Sequence, residues 1–282
     1  MGAHKKTLVQ SWLPPALYYF LLQFSNNIKF QFSNRQLLKS NAALKGLGSG
    51  KRAFVLATGP SIKQEDLSVL KGEDCFSVSN FFLHQDLNII SPKFHFFAPF
   101  HPPLILDNFI SWMREADIKL PAETQIILGA TDEPLVRQYN LFKNRKVHYL
   151  YLAYHVKVGK INLEQPILWP QSGPLMILPV LLAMGYEKIY LLGCDHTVLR
   201  DFNNVIPHFY DKEKDSRKNA SDAGAWADII QAHQYSMNTF IQYDKYLDSM
   251  KKYYPKAQII SLSKDSWLNG MLKNESLKSL II

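Results

Sequence analysis

The sequence predicts an α/β protein built on a mostly parallel, doubly wound sheet with helices on both faces and a lid segment. Three observations predict it. Short apolar runs alternate with helical patterns from Lys51 onward, the rhythm of strand and crossover in a parallel sheet. Two strand-to-helix junctions carry glycine, at Thr58-Gly59-Pro60-Ser61 and at Ser172-Gly173-Pro174. A polar stretch from 196 to 222 lacks periodicity and reads as a long loop over one edge of the sheet. Together these describe a Rossmann-like core.

The elements follow in order. Ala53–Ala57 is a short buried strand that runs into the first glycine junction. Ile62 to Leu70 then has helical spacing, with Ser61 and Gln64 placed as a capping box. Further strands are expected at Cys75–Ser79, Phe94–Ala98, Gln125–Leu128 and Val147–Leu152. Gln171-Ser172-Gly173-Pro174 opens an apolar helix to Met184, stopped by Gly185 as a left-handed C′ residue. Pro179 falls inside that helix, where it removes an N–H and is expected to bend it, at a cost of about 3 kcal/mol if uncompensated. Ile189–Gly193 is a buried strand delivering Cys194 and Asp195 at its carboxyl end. A long helical pattern from Ala225 to Tyr254 and a last strand, Gln258–Leu262, close the chain. The organisation expected is therefore an arm (1–50), a nucleotide-binding core (51–195), a lid loop (196–222) and a helix and strand completing the core (223–282).

Composition narrows the class. The chain has 282 residues, 47% of them hydrophobic, enough for a large core, which rules out intrinsic disorder and a small disulfide scaffold. Cys75 and Cys194 sit in or beside apolar runs, as reduced buried thiols do, and no zinc quartet of cysteines can be built. The net charge of +8 is unevenly distributed: residues 1 to 64 hold nine Lys or Arg and no acidic residue, so the rest is nearly neutral. Within this arm, Trp12 to Phe24 is an apolar stretch of thirteen residues, short of the roughly 20 that cross a bilayer. Lys5 and Lys6 precede it, but no small-residue cleavage site follows, which disfavours a secretory signal. Its aromatic residues and the following Lys29, Arg35, Lys39 and Lys45 fit an anionic membrane surface; a helix docked on the body or in a dimer fits equally well. Nucleic acid is a poorer partner, because the aromatics form one apolar block and do not alternate with the basic residues.

Ligands of open α/β sheets bind outside the carboxyl ends of the strands. Thr58, Gly59, Pro60, Ser61, Asn80, Ser172, Gly173, Asp195 and His196 all belong to that edge, and the helix starts there offer backbone N–H groups to a phosphate. Asn80 can recognise a base or sugar and Ser172 can donate to an anion. Asp195 has the equal alternative of bracing neighbouring N–H groups, and His196 that of satisfying its neighbours. The sequence has neither the P-loop lysine pattern nor a full Gly-x-Gly-x-x-Gly, so ATP or NAD sites of those kinds are not supported.

The series Phe54-Val-Leu-Ala-Thr-Gly-Pro-Ser61, Asn80, Ser172-Gly173 and Ala183-Met-Gly-Tyr-Glu-Lys-Ile-Tyr-Leu-Leu-Gly-Cys-Asp195 resembles the bacterial lipo-oligosaccharide sialyltransferases. It is also similar to the wider group of motility-accessory glycosylation factors and archaeal hydroxymethylpterin pyrophosphokinase-like proteins. The resemblance spans about residues 51 to 210 and is most specific from Ala183 to Asp195. It implies a CMP-sugar donor contacted by Thr58, Gly59, Asn80, Ser172 and Gly173, with Pro60, Ser61, Asp195 and His196 beside them. It also implies a lid histidine as general base, for which His208 is the candidate, and a hydroxyl supporting the departing phosphate, for which Tyr210 stands in. The sequence departs from the family in having Thr58 where asparagine is usual, and in lacking lid tyrosines just after Asp195.

The expected activity is transfer of an acidic sugar from CMP to a glycan or lipid-linked glycan acceptor in lipopolysaccharide biosynthesis, at the inner face of a bacterial cytoplasmic membrane. A homo-oligomer is open. No metal is expected: there is no Asp-x-Asp triplet, and Asp211, Glu213 and Asp215, interleaved with lysines, read as a solvated loop face. The alternatives are a pyrophosphoryl transferase, which needs clustered carboxylates for magnesium, and a non-catalytic nucleotide-binding protein.

Overall fold

The computed structural model describes residues 13–101, 104–200, 208–217 and 229–280. Ten strands form: β1 (Arg52–Leu56), β2 (Asp74–Val78), β3 (Phe94–Phe96), β4 (Gln125–Gly129), β5 (Val147–Leu150), β6 (Leu152–Ala153), β7 (Ile167–Leu168), β8 (Lys188–Leu192), β9 (Gln258–Ser261) and β10 (Lys273–Asn274). Eight of them make one sheet in the order β10-β9-β8-β1-β2-β3-β4-β5, parallel at every pairing, while β6 and β7 pair separately. Chain order runs outward from β1 to β5 on one side and from β8 to β10 on the other. The reversal between β1 and β8 is a topological switch point, where such sheets open a crevice at the strand carboxyl ends.

The main helices are α1 (Pro15–Gln31), α2 (Leu87–Ile90), α3 (Leu106–Lys119), α4 (Glu133–Gln138), α5 (Gly173–Met184) and α6 (Ile229–Tyr253). Alternation along β1 divides the core. Ala53 and Val55 pack with α5 and with Tyr243, Tyr246 and Met250 of α6, whereas Phe54 and Leu56 face the layer containing Trp112 and Met113 of α3. Because both faces are covered, the central strands are buried after the first residue of β1 and of β8 and throughout β2, and their sequences are largely apolar runs. Cys75 and Cys194 are buried free thiols in these layers.

Seven of the expected strands form within one or two residues of their predicted limits. β10 and α3 were not anticipated. The span 62–70 is not one helix: it contains two 3-10 turns, Pro60–Gln64 and Leu67–Leu70, and Ser61 lies inside the first turn with no capping hydrogen bond from the Gly59 cap position. The capping-box reading fails because the Ser61 hydroxyl has a stronger acceptor elsewhere, described below. α5 runs through Pro179 as one assigned helix and ends at Gly185 in the left-handed conformation, with φ of 86°. The Gly185 and Tyr186 N–H groups cap the Leu181 carbonyl at 3.0 and 3.2 Å.

The arm both docks and remains exposed. Phe30, the one fully buried residue of α1, meets Tyr151 edge-on at 4.9 Å. A 3-10 segment, Arg35–Leu44, then fastens the arm to β5, where the Asn41 amide donates to Tyr149 O at 2.7 Å and to Leu163 O at 3.0 Å. Trp12 lies outside the described residues. Among the described residues, no helix is long and apolar enough to cross a membrane.

Candidate functional site

The first glycine junction follows β1 at the switch point. Gly59 donates its N–H to Gly193 O at 2.8 Å, and a Cβ placed on Gly59 would lie 2.5 Å from both Gly193 O and the Asp195 carboxylate. Asp195 is buried and receives the Ser61 N–H at 3.0 Å and the Ser61 hydroxyl at 2.5 Å. The same hydroxyl lies 3.0 Å from Ser263 Oγ, which in turn accepts the Gly193 N–H. Pro60 has no N–H, and that of Ile62 points at Gly59 O. The amides of 59–62 are thus engaged by the protein itself. Asp195 takes the bracing role that the sequence offers as its equal alternative. Gly59 makes room for Asp195, and Asp195 holds the turn that starts after β1.

The second junction is partly engaged as well. α5 begins at Gly173, Pro174 has no N–H, and the Leu175 N–H donates to the Ser172 carbonyl at 3.0 Å, which leaves the Gly173 N–H and the Ser172 hydroxyl as the groups this junction offers. Ser172, the cap residue, makes no side-chain cap, and its Oγ is buried without a hydrogen-bond partner among the described residues. Gly173 packs so closely on the end of β2 that a Cβ would approach Val78 Cγ2 to 2.7 Å. This contact sets the α5 N-terminus beside the strand next to β1, so both junctions share one edge of the sheet.

Asn80 lies between them. Ser79, immediately after β2, has φ of 60°, a left-handed conformation unusual for serine, and turns the chain so that Asn80 is fully buried. Asn80 Oδ1 accepts the indole N–H of Trp112 from α3. Its Nδ2 makes no hydrogen bond of normal geometry to a described residue, yet it is close enough to Tyr210 and Asp215 to lower the pKa of each. The Asn80 amide is thus a buried donor that faces the Tyr210 hydroxyl and the Asp215 carboxylate.

The segment 208–217 lies over this edge. His208 Nδ1 is 3.3 Å from Thr58 O and 3.4 Å from Thr58 Oγ1, and the Phe209 N–H donates to Thr58 O at 3.1 Å. The His208 and Tyr210 rings stack at 4.9 Å, and Phe209 packs on His84 at 5.2 Å. A proton on Nδ1, donated to Thr58 O, leaves Nε2 as the lone-pair nitrogen. Burial lowers the His208 pKa, the Arg217 charge lowers it further, and the Thr58 hydrogen bond and Asp215 oppose them. Tyr210 is pushed up to about 12, first by burial, so it remains a phenol that donates to Asp215 at 3.3 Å.

Arg217 grips Asp215 with two nitrogens, at 3.0 and 2.9 Å, and stacks over the Trp112 ring at 4.4 Å. Burial alone would raise the Asp215 pKa; hydrogen bonds and charge from Arg217, with the Asn80 amide, bring it below the usual carboxylate range. The reading of 211–215 as a solvated face therefore holds for exposed Asp211 and Glu213 and fails for Asp215. Sequence spacing missed Asp215, Arg217 and Trp112 because a contact between a loop and α3 leaves no periodic trace.

His196 faces α6. Its Nε2 is 3.1 Å from the Tyr243 hydroxyl, its ring packs on Phe240 and Tyr243 of α6, and burial pushes its pKa down to about 4. It satisfies its neighbours, the alternative the sequence offers for it. The residues brought together are thus Thr58, Asn80, Ser172, Gly173, His208 and Tyr210, with Asp215, Arg217 and Trp112 supporting them. Among the described residues, no group of three His, Cys, Asp or Glu is arranged to hold a metal ion.

The chain matches no family model and no curated protein. Solved structures similar to it include the sialyltransferase CST-II in complex with a trisaccharide acceptor and CMP, at 19% identity over 79% of this chain and 86% of that one, with a TM-score of 0.44. CstII from Campylobacter jejuni with cytidine-5'-monophosphate is similar at 21% identity, 80% and 85% coverage and a TM-score of 0.45.

Proposed function

We propose that this protein is a glycosyltransferase-like enzyme that transfers an acidic sugar, sialic acid or a relative, from a CMP-sugar to a glycan acceptor at a membrane surface. Two lines support the reading: the sequence resemblance over residues 51–210 and the chemistry of the edge. The observation that carries it is a buried, unpartnered hydroxyl, Ser172 Oγ, and a buried amide, Asn80 Nδ2, at the edge over which His208 lies. Asn80 would hydrogen-bond the nucleoside. Ser172 and the α5 N-terminus would meet the phosphate, whose negative charge grows as the sugar departs.

His208 would take the proton of the acceptor hydroxyl on Nε2, its Nδ1–H held by Thr58 O. Its depressed pKa keeps the ring neutral and able to accept at neutral pH. Tyr210, protonated well above neutrality, would serve as a hydroxyl donor near the leaving phosphate and not as a base. Amides and hydroxyls supply the compensation in this scheme, so nucleotide release is expected to be insensitive to chelator.

The test is a panel of nucleotides and nucleotide sugars, scored for binding and for nucleotide release with and without chelator. Chelator-insensitive CMP release from a CMP-sugar supports the transferase. Magnesium-dependent AMP release from ATP would replace it with pyrophosphoryl transfer. Binding without turnover of any donor would leave a non-catalytic nucleotide-binding protein.

A further inference from the structure

The outer face of α1 is an apolar stripe that the described residues do not cover. Leu17, Phe20, Leu21, Phe24 and Ile28, spaced at helical intervals, are between 42% and 62% exposed, and the Phe20 and Phe24 rings stack at 6.4 Å. The opposite side of α1 holds the helix to the body, through the Asn26 amide to Tyr154 O and through Tyr19 against His155 at 5.8 Å. Exposed cations follow in sequence, with Lys29 in the last turn of α1 and Arg35, Lys39 and Lys45 after it. No acidic residue precedes Glu65. Two such arms placed face to face would repel each other, whereas a negatively charged surface attracts them and covers the stripe.

The position of the stripe relative to the edge is also defined. Tyr154, beneath α1, stacks on Trp169 at 5.0 Å, and Trp169 O and the Gln171 N–H are both held by the Gln242 amide of α6, at 3.1 and 2.8 Å. Ser172 is the next residue. We infer that α1 lies in the headgroup region of an anionic phospholipid bilayer, stripe inward, and that this holds the Ser172 edge within reach of acceptors carried by lipid. The second half rests on the proposed transfer reaction; the docking itself does not.

The test is flotation of the full chain with phosphatidylcholine vesicles and with vesicles containing phosphatidylglycerol, at low and raised salt, for the parent and for F20S/F24S. The expected result is binding to the anionic vesicles only, weakened by salt and about tenfold or more weaker in the variant. Both changed residues are exposed, so the variant keeps nucleotide binding, which is measured alongside as the check on folding. Equal binding to neutral vesicles, unchanged flotation of F20S/F24S, or a dimer in light scattering that F20S/F24S dissociates while vesicles are ignored would each overturn the inference. Failure of the parent to bind any nucleotide would overturn the proposed reaction instead, and leaves the vesicle result to stand by itself.

Discussion

Ser61 donates both its backbone N–H and its hydroxyl to the carboxylate of Asp195, joining the turn after β1 to the end of β8. The pair crosses the switch point and holds the edge together from inside. Its removal is therefore expected to cost stability before it costs chemistry. Asp195→Ala should lower unfolding free energy by about 1–3 kcal/mol, since the Ser61 donors lose their acceptor, whereas Ser61→Ala should cost about 1 kcal/mol. Chemical denaturation measures both. If Asp195→Ala abolishes CMP binding with stability unchanged, Asp195 is a ligand contact after all.

Gly59 is closed to any side chain by the same carboxylate. Gly59→Ala should destabilise by about 1–3 kcal/mol, since the added Cβ meets Gly193 O, a backbone atom that cannot rotate away. Gly270 has open space around the position of a Cβ, so Gly270→Ala should stay within about 0.5 kcal/mol of the parent. Thermal melts of the two variants decide whether close packing, and not glycine content, is what the junction needs.

Asn80 should separate binding from proton transfer. Asn80→Ala removes the amide donor, so CMP affinity should fall about tenfold, the worth of a buried hydrogen bond of about 1.4 kcal/mol, measured by calorimetry. His208→Ala should leave CMP affinity near that of the parent while turnover falls by about 100-fold or more. The opposite pattern, with His208→Ala losing affinity and Asn80→Ala losing only turnover, would exchange the two roles.

The pH profile tests the base directly. The His208 pKa is held below the ordinary histidine value, first by burial and then by Arg217. The acid limb of kcat/KM should therefore fall below pH 6.5. Arg217→Gln removes a charge that lowers this pKa and frees Asp215, which raises it, so the limb should move to higher pH. A limb that stays in place in this variant would mean another group controls it.

Buried neutral histidines should also govern acid stability. His95, at Ser77 Oγ, and His148, between Asn41 and Gln125, are pushed down by burial to about 3 and about 4. In the unfolded chain both protonate near pH 6.5, so the unfolded state binds more protons as pH falls. The stability present above pH 6.5 should be lost below it, each histidine contributing up to about 1.4 kcal/mol per pH unit until its folded value is reached. Unfolding curves between pH 7.5 and 4.5, compared with those of His148→Gln, measure the slope.

The strands were legible because a parallel sheet covered on both faces demands apolar runs, as at Ala53–Leu56 and Ile189–Leu192, and such runs stand out in sequence. The edge was legible in part. Asn80, Ser172 and Gly173 follow from the ends of strands and the start of a helix. Gly59 and Ser61 carry the same local signal, but their partner Asp195 is 134 residues from Ser61, and only the assembled sheet shows that the two neutralise each other's capacity to bind. Tertiary pairing likewise hid the role of Asp215.

The register of β1 against β8 joins Arg52–Leu56 to Lys188–Leu192 across nearly half of the chain. A parallel contact of such long range forms late, because the intervening loop must close first. The crevice at the switch point is consequently a product of completed folding and does not exist in any shorter folded piece that lacks β8. A chain released before its last third has emerged would carry Gly59 and Asn80 yet have no crevice, so the crevice waits on synthesis of the three strands β8 to β10.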